Sequence, residues 1–145
     1  MTVLGWTVGS VLGAGTALIL IAFVRRSGPL AERRFWALAL LVAALVYVGF
    51  AALGVGTGLV VEPSNVLGFE GLGVMVYGAL GALGTRHPRV LAAGWVLHVI
   101  WDLGHRHVGW VPDWYVVACV AFDVVVASYL GLSLRRGRAI RPKLV

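Results

Sequence analysis

The segment LHVIWDLGHRH, Leu97 to His107, carries His98, Asp102 and His105 in a His-x3-Asp-x2-His spacing at the end of an apolar stretch. Neutral imidazoles and carboxylates are ligands for borderline divalent cations, and one helix with this spacing can present three of them. At about 100° per residue, Asp102 lies about 40° and His105 about 20° from His98, on opposite sides of it, so the three share a face. His107 falls roughly opposite and reads as a loop or interface residue. Glu70 and Asp123, two more carboxylates inside apolar runs, complete a candidate metal set of His98, Asp102, His105, Glu70 and Asp123. Glu70 and Asp102 are in addition the candidate catalytic acid or base groups. The spacing has a limit, because His98 to His105 covers about 10 Å of helical rise, a long reach for one ion.

The elements that must hold these groups follow from composition. Of 145 residues, 60% are hydrophobic and 12% charged, and the mean hydropathy is +0.93, far from soluble-domain averages. These values predict an all-α, polytopic membrane protein that is one domain over 1–145, with no room for a separate soluble domain. Crossing about 30 Å of hydrocarbon takes about 20 apolar residues, and backbone groups in lipid must bond within their own helix. Five spans are predicted, at approximately 3–24, 35–56, 66–84, 88–105 and 114–134. The fourth is the weakest, interrupted by His98 and Asp102. Pro88 and Pro112 suit the starts of the fourth and fifth helices, and Asp113 suits a cap or first-turn acid.

Charge tests this division independently, since cytoplasmic loops carry the excess of Lys and Arg. Arg25, Arg26, Arg33 and Arg34 lie between helices 1 and 2, and Arg86 and Arg89 between 3 and 4. Arg135, Arg136, Arg138, Arg141 and Lys143 follow helix 5, leaving only Arg106 on the other side. The expected topology therefore has the amino terminus outside and the carboxyl terminus in the cytoplasm of a cell (plasma) membrane protein. The net charge of +6 is explained by basic loops against anionic lipid headgroups, not by nucleic acid, which is excluded as a partner. The first apolar run lacks a preceding basic segment and reads as a retained helix rather than a signal peptide.

Small residues allow helices to approach closely in lipid. Gly5, Gly9 and Gly13, extended by Ala17, form such a ladder on helix 1, either for packing inside the bundle or for a homo-oligomer contact. Helix 3, with Gly68, Gly71, Gly73, Gly78, Gly81 and Gly84, is expected to sit centrally. A pocket among helices 3, 4 and 5, polar towards the outside and apolar beneath, is the expected site, with Trp101, Trp95 and Tyr77 as substrate-binding candidates for a hydrophobic small molecule. Trp101, Trp110, Trp114 and Tyr115 otherwise form an interfacial aromatic belt.

Three functions fit this set of groups. A divalent metal, zinc or iron, would give a metal-dependent membrane hydrolase or oxidoreductase acting on a lipid-soluble substrate. Intramembrane carboxylates and histidines also mark proton or ion paths, although this chain offers no polar exit. The third reading is a buried polar network that only holds helices together. A retinal Schiff base is excluded because no lysine lies within a span, and the lone Cys119 offers no disulfide or CxxC motif.

The segments GWVLHVIWDLGHRH and VPDWYVVACVAFDVVVASYL, with FEGLGV upstream, resemble a family of small bacterial integral membrane proteins of the domain-of-unknown-function type; that resemblance implies a helical membrane fold and no activity. The His-x3-Asp-x2-His pattern is also loosely similar to metal-dependent membrane hydrolases of the ceramidase type, which have more helices and histidines spread over several of them.

Overall fold

A computed structural model describes residues 3–136; Arg138, Arg141 and Lys143 of the basic tail lie outside the described residues. Three helices begin on a proline, whose fixed φ suits the first turn and whose missing N–H costs nothing there. They are α2 (Pro29–Gly56), α3 (Pro63–Gly84) and α4 (Pro88–Gly104). They follow α1 (Val3–Val24) and a 3-10 turn, Arg25–Ser27; α5 (Asp113–Arg135) closes the order. Pro112, in an extended conformation, precedes α5, so Asp113 is a first-turn acid rather than a cap. Gly28, at φ +88°, reverses the chain between the 3-10 turn and α2 in a conformation that other residues rarely adopt. The helices α2 and α3 start earlier than hydropathy predicts, because polar first turns such as PLAERR remain helical.

Polarity is inverted relative to a water-soluble domain. Leu4, Val11, Ile19, Phe23, Met75 and Ile100 lie on the surface, whereas Glu70, His98, Asp102, His105 and Asp123 are buried. Contact with membrane lipid accounts for such an apolar exterior. Among the described residues, four helices are long and apolar enough to cross a membrane: α1 with its 3-10 turn, α2, α3 and α5. This corrects the expectation of five. The 17 residues of α4 rise only about 26 Å, short of the hydrocarbon thickness, and include His98 and Asp102. Its two ends nevertheless meet opposite ends of the other helices. Pro88 and Leu91 share a cavity with Arg25 and Leu134, and Arg106, just past α4, lies 4.5 Å over the Trp6 ring of α1.

The position expected for α3 is taken by α4, which packs against α2, α3 and α5; α3 touches only α2 and α4. Glycine content misleads here because only part of it faces protein. A Cβ on Gly73 would meet the Trp101 ring, one on Gly81 the Ala37 carbonyl and one on Gly84 the Leu91 side chain, while Gly68 and Gly71 face open space. The core beneath the site is aromatic and tightly filled: Trp36, Leu40, Leu91 and Trp95 are almost wholly buried, and Trp36 meets Trp95 edge to face at 6.1 Å. On α1, Gly9 and Gly13 lie directly against the α5 backbone at Trp114 and Ala118. That face of the glycine ladder is therefore used within the chain.

Candidate metal centre

The buried stripe of α4 consists of Leu91, Gly94, Trp95, His98 and Asp102, the three-and-four spacing of one helix face. Its last two members meet α5. His98 Nδ1 lies 2.7 Å from Asp123 Oδ2 and 3.3 Å from Asp102 Oδ1. From α2, the Tyr47 hydroxyl donates to Asp102 Oδ1 at 2.8 Å. The His98 ring is held by Tyr77, edge to face at 4.6 Å, and Tyr77 is fixed in turn by donating to the Leu97 carbonyl.

These contacts leave His98 Nε2 and Asp102 Oδ2 buried without hydrogen-bond partners. Orphaned polar atoms in an apolar interior are costly and mark a place where a further group belongs. One donor atom from each of His98, Asp102 and Asp123 falls within 4.8 Å of the others, a group that could chelate a metal ion. The donor chemistry fits. Zinc and comparable ions bind such nitrogen and oxygen atoms at about 2.0–2.2 Å, so donor atoms around one ion stand roughly 3–4 Å apart. His98 Nδ1 and Asp102 Oδ1 already do at 3.3 Å, while the 2.7 Å His98–Asp123 hydrogen bond has to open by roughly 0.3–1.3 Å and any separation nearer the 4.8 Å limit has to close. Charge fits as well, since one neutral imidazole and two carboxylates balance a divalent cation. With His98 protonated and both carboxylates ionised, the three side chains would stand at minus one, and among the described residues no arginine or lysine pairs with them.

Glu70 and His105 form a separate pair. His105 caps the C-terminus of α4; its Nδ1 donates to the Trp101 carbonyl at 2.8 Å, and its Nε2 lies 2.8 Å from Glu70 Oε1. A carbonyl cannot supply the hydrogen, so the proton on Nδ1 is fixed. The contact at Nε2 then needs a second proton, carried either by His105 or by Glu70. The five candidates thus divide into a three-residue group and a proton-sharing pair, and Glu70 and His105 fall outside the chelating group. Tyr47 stands between them, its ring 4.2 Å from His105 and 6.3 Å from His98.

Among the substrate-binding candidates, Tyr77 and Trp101 line a cavity of about 610 Å³ between α3 and α4, together with Phe69, Glu70, Leu97 and His105. Trp101 stacks on Phe69 at 4.6 Å. Trp95 instead belongs to the closed core with Trp36 and Phe122. Tyr47 is the participant that sequence reasoning missed, since a tyrosine in the aliphatic run LVYVGF carries no spacing signal; its burial is complete. Tyr47→Phe is expected to strand Asp102 and to lower stability by about 1–2 kcal/mol, read as a lower thermal midpoint with an unchanged helical spectrum. An unchanged midpoint would remove Tyr47 from the network.

The chain matches no family model, no curated protein and no solved structure.

Proposed function

We propose that this chain is a multi-pass protein of the cell membrane that binds one divalent transition metal through His98, Asp102 and Asp123. The observation that carries the reading is the convergence of three buried donor atoms within 4.8 Å, supported by the orphaned Asp102 Oδ2. The donor set of one imidazole and two carboxylates suits zinc, iron(II) or manganese(II) better than soft-ligand metals. When bound, such an ion supplies Lewis-acid polarisation of a substrate oxygen or activation of water.

In this reading the arginine-rich end of the bundle faces the cytoplasm, the amino terminus is outside, and the metal group lies towards the outer side. Support comes from the one-sided distribution of arginines and from the contacts of the two ends of α4 described above. The cavity between α3 and α4 opens on the lipid-facing side, with an apolar wall and the Glu70–His105 pair beside it. It suits a lipid-soluble substrate, with Glu70 as acid or base and Trp101 and Tyr77 as walls. Asp102 becomes a ligand held by Tyr47, rather than a proton-transfer group. A metal-dependent hydrolase or oxidoreductase is the corresponding enzyme class.

The competing reading is a structural network, favoured by the Tyr47–Asp102 and His98–Asp123 hydrogen bonds and the 3.3 Å contact of His98 with Asp102 that joins them. Elemental analysis of protein purified in detergent without a polyhistidine tag separates the two. We expect about one equivalent of metal, with affinity falling about tenfold per pH unit on acidification for each proton displaced from the ligands. Metal-free protein whose thermal midpoint ignores added zinc, iron(II) and manganese(II) would leave the network as the function.

A further inference from the structure

At the opposite end of the bundle from Trp6, a second cavity of about 590 Å³ has a different chemistry. Arg25 and Arg26 of the 3-10 turn and Arg33 of α2 line it, above an apolar wall of Leu91, Leu130 and Leu134. Among the described residues, none of these arginines pairs with a carboxylate: every ion pair involves His98 or His105. The one acid at the cavity, Glu32, accepts the Tyr129 hydroxyl instead. Arg33 makes only a long Nε contact to the Pro29 carbonyl of its own helix, at 3.4 Å. Two helix N-termini, α2 at Pro29 and α4 at Pro88, also border the cavity and add positive potential to that of the guanidinium groups.

We infer that this cavity is a binding site for the phosphate of an anionic glycerophospholipid, held by Arg25, Arg26 and Arg33 with its glycerol end against Leu91, Leu130 and Leu134. The planar guanidinium fork matches phosphate oxygens in pairs. The cavity falls in the range that encloses a drug-sized ligand, which is far more than inorganic phosphate fills. The apolar wall has no role for a free anion, whereas the first carbons of two acyl chains would cover it. Basic pockets between membrane helices are recognised sites for acidic headgroups. Glu32 and Tyr129, bonded to each other, add a carboxylate and a hydroxyl to the lining, so a hydroxyl-bearing headgroup such as phosphatidylglycerol is the chosen occupant. This site is independent of the metal centre and stands or falls separately from it.

Native mass spectrometry of the full chain in detergent tests the site with dioleoyl phosphatidylglycerol, dioleoyl phosphatidylcholine and inorganic phosphate as probes. The expected result is a single saturable phosphatidylglycerol adduct, weakened by about tenfold or more in the triple variant Arg25→Gln, Arg26→Gln, Arg33→Gln. Arg34→Gln is the control, because Arg34 lines a neighbouring shallow groove with Ser27 and Leu30 and carries the same charge. It should bind as the wild type does. Arg33→Lys, which keeps the charge but loses the fork, should weaken binding by a smaller factor and guards against misfolding of the triple variant. Equal binding of phosphatidylcholine, equal weakening by Arg34→Gln, or full competition by inorganic phosphate would each overturn the assignment. The first two outcomes would indicate diffuse surface attraction and the third a free-anion site.

Discussion

Asp123→Ala is expected to weaken divalent-metal binding by more than about 100-fold, beyond the 10–100-fold typical of groups that merely orient a ligand. Asp123 supplies the only donor from α5 and the shortest contact of His98, at 2.7 Å. Glu70→Ala is the informative partner. Glu70 is bonded to His105 and lies outside the chelating group, so its loss should leave the dissociation constant within about threefold of wild type while affecting turnover of any substrate in the α3–α4 cavity. Isothermal titration of both variants checks the division. Equal losses would restore a single five-residue centre. Asp123→Asn provides a stability control: it keeps an acceptor for His98 Nδ1 but removes the charge, so it should fold better than Asp123→Ala, which strands the imidazole at a cost of about 1–3 kcal/mol.

Gly13→Val should be among the most damaging single changes in α1. A Cβ at Gly13 would overlap the Ala118 carbonyl of α5, and one at Gly9 would stand 2.7 Å from the Trp114 carbonyl. Backbone atoms cannot swing aside as a flexible side chain can, so the two helices must part and lose contact along their length. Overpacking of this kind costs about 1–3 kcal/mol for a modest insertion and more for a branched one. Gly15→Ala, two residues away, meets nothing within 4 Å and should be neutral or slightly stabilising, because alanine favours the helix. The difference between the two variants in detergent thermal denaturation should be roughly 5 °C or more. Equal midpoints would mean that α1 does not approach α5 so closely.

The parts of the fold written in local periodicity were legible in the sequence. Apolar run lengths and the prolines locate the helices, and about 100° per residue correctly turns His98, Asp102 and His105 to the inside. The long rise between His98 and His105 also anticipates that they serve different partners. Which carboxylate meets which histidine was not legible, because it depends on how the helices are offset along the bundle. Glu70 comes early in α3 and reaches His105 at the end of α4, while Asp123 sits further along α5 and reaches His98. The role of Tyr47 was hidden for the same reason, since its partner is 55 residues away. Glycine count placed α3 at the centre, but a glycine reports close approach only on the side that faces a neighbour, and in α3 some glycines face outward.

The pairing of α1 with α5 bears on how the protein is made. Of the helices described, α1 is made before the others yet packs chiefly against α5 and meets α2 only slightly. Its bare Gly9–Gly13 face must therefore wait in the bilayer until α5 has been synthesised and inserted. Asp123 arrives on that same helix, so the docking of α1 and the completion of the candidate metal group both await α5. Chains stalled before residue 113 would leave the Gly9–Gly13 face open to other helices and would lack Asp123.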